Sequence, residues 1–294
     1  MRYSLFLGCT IPVRQMNYEL SARAVSKALG IGLVDEGFGC CGFPIEPVDE
    51  VRALSMAAVN LKKAAEAGLD VVTLCSACGE MLVKSEKVLN NDEATLKNVN
   101  KLLSSRLGVE YQGEKPRVVH FARMLYQDLG VENIKGKVTH PLKNLRIACH
   151  PGCHYVRPST LYDGFDDPEF PGSLDRLVEA TGAEAVEYIG KNDCCGGSLL
   201  AVKEEVSKAM TRGKLDTLKA ANVDAIVLVC PFCGIMYDKY QRILAEELQQ
   251  SYDIPVLYYP QLLGLALGIN PDQLGFDVNS VSVHGLLEKV EVRA

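Results

Sequence analysis

The sequence has little that would tie it to a membrane or to nucleic acid. No stretch of its 294 residues approaches the roughly 18 consecutive apolar residues of a membrane span. The apolar stretch at the N-terminus is also too short for the core of a signal peptide. A formal net charge of −6 argues against a nucleic-acid scaffold or a polybasic membrane anchor. We therefore expect a cytoplasmic chain without membrane insertion and without a nucleic-acid partner.

Nucleotide-binding fingerprints are also missing. No G-x-G-x-x-G follows a predicted strand, and no G-x-x-x-x-G-K-[ST] phosphate loop occurs. The chain therefore cannot collect electrons from a nicotinamide cofactor by itself. If it does redox chemistry, partner proteins must supply the electrons.

Cysteine, by contrast, is abundant, with 11 residues. Ten of them form a pattern that occurs twice, first as C-x30-CC-x33-C-x-x-C and then as C-x40-CC-x34-C-x-x-C. The first motif comprises Cys9, Cys40, Cys41, Cys75 and Cys78, and the second motif comprises Cys153, Cys194, Cys195, Cys230 and Cys233. Five thiolates are one more than a tetrahedral zinc site or an ordinary cubane cluster uses. The surplus thiolate indicates an iron–sulfur site of unusual nuclearity in each copy.

Three other interpretations of the cysteines stay open at this point. C-x-x-C is common in zinc sites, although a vicinal Cys-Cys pair rarely closes a tetrahedron around one zinc ion. A pair of plain cubane clusters would leave two cysteines unused. A disulfide framework is typical of secreted proteins, whereas cytosolic cysteines kept in quantity usually bind metal or do redox chemistry.

The cysteine pattern is part of a longer internal duplication. Three pairs of segments resemble each other between the halves: 68–79 and 222–234, 118–125 and 256–263, and 7–9 and 151–153. A self-similarity over about 150 residues indicates a duplicated domain rather than a solenoid. The stretch from Gly130 to Arg146 is rich in glycine, lysine and proline, which places the boundary near residue 140. We expect an N-terminal domain over residues 1–140 and a C-terminal domain over residues 141–294.

Each half alternates short apolar strands with helices. The predicted strands are Tyr3–Leu7, Val71–Leu74, Val118–Phe121, Leu145–Ala148, Ala225–Val229 and Val256–Tyr259. The predicted helices are 51–67, 199–221 and 235–249. Such alternation is typical of α/β layers with mostly parallel strands. It places the first cysteine of each C-x-x-C at the end of a strand and the second at the start of a helix, where free N–H groups favour the thiolate.

These residues carry a resemblance to a known family. The two Cys-Cys-Gly motifs, each with its distant cysteine and its C-x-x-C, resemble the duplicated cysteine-rich CCG domain. Over nearly its whole length the chain is similar to the B subunit of the soluble heterodisulfide reductases of methanogenic archaea. The resemblance implies two homologous α/β domains related by pseudo-twofold symmetry, each holding one noncubane 4Fe–4S cluster through its five cysteines. The first motif would bind one cluster and the second motif the other.

The same resemblance implies a function. Members of this family reduce the mixed disulfide of coenzyme M and coenzyme B to two thiols. Their partners are the A subunit, which carries flavin and iron–sulfur clusters, and the ferredoxin-like C subunit, with a hydrogenase or formate dehydrogenase in the larger complex. The alternative is an iron–sulfur protein that relays electrons in another CCG-domain oxidoreductase complex. Two intact five-cysteine motifs favour the enzyme.

Three further residues are candidates for the chemistry. Arg14 and Arg157 follow the first cysteine of each motif, and they would bind the anionic ends of the substrate because arginine suits oxyanions. His154 adjoins Cys153 and would act as a catalytic proton donor near a released thiolate. A surface arginine or a hydrogen-bonded histidine explains each of them equally well.

The remaining features are expected to be structural. Cys149, the eleventh cysteine, aligns with Leu5 and is predicted to be a buried strand residue rather than a ligand. His150 is expected in the loop that opens the second domain. The acidic, proline-bounded segment 164–172 accounts for the longer x40 spacing and is a candidate lid or docking element.

Overall fold

The computed structural model describes residues 1–291, and this part of the chain contains two four-stranded sheets. The strands are β1 Arg2–Phe6, β2 Gly32–Val34, β3 Val71–Thr73, β4 Val118–His120, β5 Arg146–His150, β6 Glu184–Val186, β7 Ala225–Leu228 and β8 Val256–Tyr258. All pairings are parallel, with the order β2-β1-β3-β4 in the first sheet and β6-β5-β7-β8 in the second. The central strands are almost wholly buried, which explains why their sequences are apolar rather than alternating.

The two sheets also share their register. Leu5 of β1 lies opposite Val72 of β3, and Cys149 of β5 lies opposite Val227 of β7. Cys149 therefore occupies the position of Leu5, and it is fully buried. The predicted α/β fold class with an internal duplication is confirmed, down to the pairing of individual strand residues.

Helices flank both sheets. Their bounds are α1 Ile11–Arg14, α2 Met16–Leu29, α3 Glu50–Ala67, α4 Ser76–Asn91, α5 Glu93–Leu107, α6 Phe121–Met124, α7 Val131–Lys135, α8 Ser173–Ala180, α9 Glu204–Ala220, α10 Pro231–Gly234, α11 Tyr240–Leu248, α12 Tyr259–Ala266 and α13 His284–Glu291. Among the residues that the structure describes, no helix combines the length and the apolar character needed to cross a membrane.

The structure corrects three predictions for the second half. The helix predicted from residue 199 begins with a separate 3-10 turn, Gly197–Leu199, and α9 starts only at Glu204. The helix predicted from residue 235 begins as a π-helical turn, Ile235–Lys239, which continues into α11. His150 does not lie in a loop, because it is the last residue of β5 and is buried.

Residues 37–42 read G-x-G-x-x-G and follow β2, a strand that the sequence did not predict. The segment leads into turns, and no helix begins before Glu50. A dinucleotide site needs a helix to open on these glycines, so that its N–H groups meet the pyrophosphate. The glycine pattern is therefore part of the first cysteine motif, because two of its six residues are Cys40 and Cys41.

The two halves meet through helices α2 and α12, which pack against each other. Tyr18 on α2 stacks on Tyr258 at the end of β8, with ring centroids 4.0 Å apart and planes 8° from parallel. The hydroxyl of Tyr258 donates a hydrogen bond of 2.7 Å to Oε1 of Gln15. Both rings are buried, so a dry aromatic contact joins the halves.

A buried histidine ties the halves together near the cysteines. Nε2 of His120 lies 2.9 Å from the carbonyl oxygen of Val229 and 3.3 Å from that of Leu74. Its Nδ1 accepts a backbone N–H, so Nε2 carries the hydrogen and donates to these carbonyls. Tyr18 and Ser76 donate to the same Val229 oxygen. Leu74 and Val229 each precede a C-x-x-C, so this network fixes the two motifs relative to each other.

Replacing His120 by phenylalanine keeps a ring in place but removes the donor to two carbonyls. We expect the free energy of unfolding to fall by about 1–3 kcal/mol at pH 7. Burial lowers the pKa of His120 to about 4, below the value of about 6.5 in an unfolded chain. The native protein therefore loses stability as the pH falls from about 6.5 towards 4, and His120→Phe should weaken this dependence.

Urea unfolding at pH 7 and at pH 5 measures both effects. The exposed His284 provides the control, because His284→Gln should change the free energy of unfolding by less than about 0.5 kcal/mol. A urea midpoint unchanged by His120→Phe would show that the bridge contributes no stability.

Candidate metal centre

The ends of neighbouring parallel strands build each cysteine motif. β1 is followed by Gly8, in the left-handed conformation, and then by Cys9, while Cys75 follows β3 and caps helix α4. Cys153 follows β5 in the same way, and Cys230 follows β7 and caps α10. The carboxyl ends of parallel strands lie at one edge of a sheet, so the five cysteines of each motif come together there.

The ten cysteines form one continuous row of sulfur atoms. The sulfur atoms of its first two members, Cys9 and Cys40, are 4.0 Å apart, and each later member interacts with the next one along the row. The row runs Cys9, Cys40, Cys41, Cys78, Cys75, Cys230, Cys233, Cys195, Cys194 and Cys153. The second half repeats the order of the first in reverse, as a twofold axis between Cys75 and Cys230 requires. Within residues 1–291, no three metal-binding side chains converge on a single point.

Exposure changes along this row. Cys9 is exposed and Cys40, Cys153 and Cys194 are partly exposed, whereas the six cysteines nearer the junction are buried. The row thus has two accessible ends and a closed centre. None of its members forms a disulfide.

Interactions between neighbouring cysteines make the thiols of the row unequal in acidity. The bond from Cys40 is the largest of the causes that lower the pKa of Cys41 to about 4. The bond from Cys153 likewise lowers the pKa of Cys194 to about 2. The lowered pKa of Cys41 and of Cys194 favours the thiolate, the form in which cysteine binds metal.

The glycine after each Cys-Cys pair lets this segment approach a helix. Gly42 has φ +96°, and a Cβ there would lie 2.5 Å from the backbone oxygen of Ala53 on α3. Gly196 has φ +83°, and its Cβ would lie 2.9 Å from the backbone oxygen of Ser207 on α9. Only glycine tolerates both the left-handed conformation and the close contact, which explains the third letter of the Cys-Cys-Gly motif.

A small cavity lies between the halves beside the row. All five cysteines of the second motif line it, together with His154 and with Phe43 and Ala77 from the first half. The His154 ring packs edge-on against Phe43, and its Nδ1 lies 3.6 Å from Oε2 of Glu80. Glu80 is buried, and desolvation raises its pKa to about 7. The sequence did not reveal this acidic neighbour, because it comes from the other half.

The two predicted arginines lie in different surroundings. Arg14 ends α1 and is exposed, and its side chain forms no hydrogen bond or ion pair with any other described residue. Arg157 is half-buried, and its Nε donates a bond of 2.9 Å to the carbonyl oxygen of Pro168. Arg157 therefore fastens the segment 164–172.

This segment is bound to the body of the protein. The carboxylate of Asp166 accepts the backbone N–H groups of Gly172 at 3.1 Å and Ser173 at 2.9 Å. The Phe165 ring packs against Tyr126, and the guanidinium of Arg123 lies 4.7 Å from its centre. Since Tyr126 and Arg123 belong to the first half, the segment is a further link between the halves.

Two buried residues beside the second motif were missed by sequence reasoning. Nζ of Lys214 donates a bond of 3.0 Å to the carbonyl oxygen of Lys191, and burial lowers the pKa of Lys214 to about 8. The hydroxyl of Tyr237 is buried and has no hydrogen-bond partner in residues 1–291. Asn60 and Leu82 hold the corresponding positions in the first half, so a residue-by-residue comparison of the repeats would have found both.

The fold and the cysteine set define a duplicated cysteine-rich domain. A model of the CCG family, described as a cysteine-rich domain, matches residues 3–83 and 147–238. These two ranges contain all ten motif cysteines, and each covers the first three strands of one sheet in chain order. The predicted duplication of the CCG domain is thereby confirmed.

Relatives match this chain over almost its whole length. It is 37% identical, over 98% of this chain and 97% of the relative, to the B subunit of a ferredoxin:CoB-CoM heterodisulfide reductase from Methanosarcina mazei. It is 33% identical, over 95% of this chain and 96% of the relative, to an 8-methylmenaquinol:fumarate reductase membrane anchor subunit from Wolinella succinogenes. The chain belongs to the CCG family of heterodisulfide reductase B subunits, as its motifs predicted. Family and cysteine set together imply an iron–sulfur protein.

A solved structure shares the fold. A hypothetical protein from Helicobacter pylori superposes with a TM-score of 0.78 at 16% identity, over 96% of this chain and 52% of that chain. At this identity the likeness concerns the fold alone. It shows that the two-sheet arrangement occurs within a longer chain.

The Cys-Cys-Gly geometry can be tested with two alanine variants. Gly42→Ala should lower stability and iron content, because its Cβ meets backbone that cannot move aside. Gly68 has a similar φ of +66° with no atom within 4 Å, so Gly68→Ala should cost only about 1–2 kcal/mol of strain and leave iron content unchanged. Iron analysis and thermal unfolding of both variants make the comparison. Equal losses in the two would show that the close contact at Gly42 is unimportant.

Proposed function

We propose that this chain is the catalytic component of a heterodisulfide reductase, with a noncubane 4Fe–4S cluster held by the five cysteines of each motif. The symmetric row of ten sulfurs is the observation that carries this proposal. It gives each half five cysteines, more than a zinc ion or a cubane cluster needs. The relatives named as heterodisulfide reductase subunits support the choice of reaction.

The reaction is the cleavage of the mixed disulfide of coenzyme M and coenzyme B, RS–SR′ + 2 e⁻ + 2 H⁺ → RSH + R′SH. Each cluster, when bound, supplies one electron, and two are needed for one S–S bond. We place the disulfide between the halves, next to the small cavity that the five cysteines of the second motif line together with Phe43 and Ala77 of the first half. His154, at the wall of this cavity, donates a proton to a leaving thiolate.

Cations hold the anionic ends of the substrate. The Arg14 side chain is exposed and unpaired among residues 1–291, so it is available to a ligand, whereas Arg157 must give up its bond to Pro168 or act through a remaining N–H group. A wider cavity of about 650 Å³ touches the row at Cys40 and is bordered by Arg52, Lys63 and Arg106 above an apolar lining. Its size and lining suit an apolar chain with an anionic end.

The proposal includes partners, location and domains. Electrons come from a flavin-bearing A subunit through a ferredoxin-like C subunit, with a hydrogenase or formate dehydrogenase upstream. The complex works in the cytoplasm, where the 11 free cysteines stay reduced. The domains divide near residue 140, where the backbone N–H groups of Thr139 and His140 already bond to Ala266 of the second half.

A second candidate function is an electron relay in another oxidoreductase complex. The relative from Wolinella succinogenes favours it, because that protein is named as a subunit of a fumarate reductase. A relay would hold the same clusters but would have no site at which to bind and cleave a disulfide.

Turnover distinguishes the two candidates. The iron-loaded protein, with its small iron–sulfur partner, is supplied anaerobically with reduced viologen and with the mixed disulfide or either symmetric disulfide. We expect fast oxidation of the dye with the mixed disulfide only. No oxidation by a protein of full iron content would favour the relay.

The assignment of one cluster to each motif predicts the effect of single cysteine changes. Cys41→Ser and Cys195→Ser should each remove about half of the iron and one of two spectroscopic signals. The buried Cys149 is the matched control, and Cys149→Ala should keep the full iron content. Loss of both signals from one change would contradict two independent ligand sets.

A further inference from the structure

The two halves hold the same cysteines in different surroundings. The glycines of the two Cys-Cys-Gly motifs rest on Ala53 of α3 and Ser207 of α9, which makes these two helix positions equivalent. Seven residues further along each helix lie Asn60 and Lys214. Both side chains are buried against the segment that leads into the Cys-Cys pair.

Both side chains form hydrogen bonds to the backbone near the Cys-Cys pair, but only Lys214 carries a charge. Asn60 accepts the N–H of Gly39 at 2.9 Å and donates to the carbonyl oxygen of Cys40 at 3.0 Å. Lys214 donates to the carbonyl oxygens of Gly190 and Lys191. Asp193 is the carboxylate that most strongly favours the charged form of Lys214. Within residues 1–291, however, no carboxylate forms an ion pair with Nζ of Lys214. The second motif therefore has a buried cation beside it that no direct ion pair neutralises.

A second difference lies four residues after each C-x-x-C. Leu82 holds this position in the first half and Tyr237 in the second. Tyr237 is fully buried, its hydroxyl has no partner in the described part of the chain, and burial, followed by the nearby Cys195 and Cys233, raises its pKa. Among the described residues, the first half has buried unpartnered hydroxyls of its own on Ser4, Ser26 and Thr73, and that of Thr73 lies against Gly79 of α4.

A buried hydroxyl without a hydrogen-bond partner costs free energy, unless a bound group that is not part of the polypeptide accepts its hydrogen. The sulfur atoms of a bound cluster are such acceptors, and Tyr237 lies beside the cysteines that would hold it. Leu82 can make no hydrogen bond at all. At this position the second site can donate a hydrogen bond to its cluster, and the first site cannot.

We propose that the two sites have unequal reduction potentials, with the C-terminal site accepting an electron at the more positive potential because Lys214 and Tyr237 stabilise its reduced form. The proposal rests on the assignment of one iron–sulfur cluster to each motif. Adding an electron makes a site more negative, and a nearby cation or hydrogen-bond donor lowers the energy of that charge. Charge and hydrogen bonds to sulfur are among the main determinants of cluster potentials.

The difference in reduction potential determines the order in which electrons enter the two sites. Each site takes one electron, and the first electron to enter the protein comes to rest in the C-terminal site. The second electron stays in the N-terminal site, from which it leaves more readily. The two electrons of a disulfide cleavage therefore leave from sites of different reducing power.

A redox titration followed by electron paramagnetic resonance tests the proposal. Cys41→Ser and Cys195→Ser assign each signal to its half. At pH 7, below the pKa of Lys214 of about 8, the wild-type signal of the C-terminal site should appear at the more positive potential.

Two substitutions then identify the cause. Lys214→Met should lower the ratio of reduced to oxidised C-terminal site at least tenfold at a given potential, which is 59 mV for one electron. Lys214→Arg should restore the wild-type potential, which excludes a purely structural role. Tyr237→Phe should lower the same potential by a smaller amount. Tyr259→Phe is its matched control, because the Tyr259 hydroxyl is buried but bonds to the carbonyl oxygen of Leu177 at 3.0 Å.

The outcomes separate this inference from the proposed function. Two sites that titrate together, or variants that shift neither site or both equally, would overturn the inference and leave the disulfide reductase standing. A protein that binds no iron would overturn the assignment of the clusters themselves. Unequal potentials without turnover would support the inference within an electron relay.

Discussion

Everything at the cysteine site is arranged around the contact between Cys75 and Cys230. These two buried residues come from different halves, and the backbone just before each is fixed by His120, which donates to the carbonyls of Leu74 and Val229. A hydrogen bond to a buried carbonyl is costly to lose, so the distance between the two C-x-x-C segments is set by the protein rather than by a ligand. The row of sulfurs crosses from one half to the other at this junction, and the cavity lined by Ala77 and Cys230 borders it.

The cysteine spacing and the apolar strands were enough to predict the fold class, the duplication and the position of the motif cysteines at the ends of strands and the starts of helices. Parallel strands that are buried on both faces leave a continuous apolar signal, and cysteines at their ends must meet. The order of the sulfurs was beyond sequence reasoning, since it depends on how one half docks on the other. The same limit explains why His120 and Glu80 were not recognised, because their partners lie across the junction.

Local predictions failed where tertiary contacts override a helical pattern. The 3-10 turn Gly197–Leu199 and the π-helical turn from Ile235 both lie next to cysteines of the second motif, where the backbone is shaped by the site. Single π-helical turns are often found at functional sites. The duplicated frame thus preserves strand register and cysteine position closely, while the residues packed around the cysteines differ in size, charge and hydrogen bonding between the halves.

The sulfur row has exposed ends and a buried middle, which limits the routes by which iron and sulfide reach the folded chain. Cys9 is open to solvent, whereas Cys75 and Cys230 are 3% and 6% exposed and face each other. Iron and sulfide that arrive after folding must therefore enter from the outer ends, and the innermost ligands are the last to be reached. Delivery before the halves dock has no such restriction. In the folded protein, the exposed cysteines at the ends of the row are therefore reached before the buried ones at the junction.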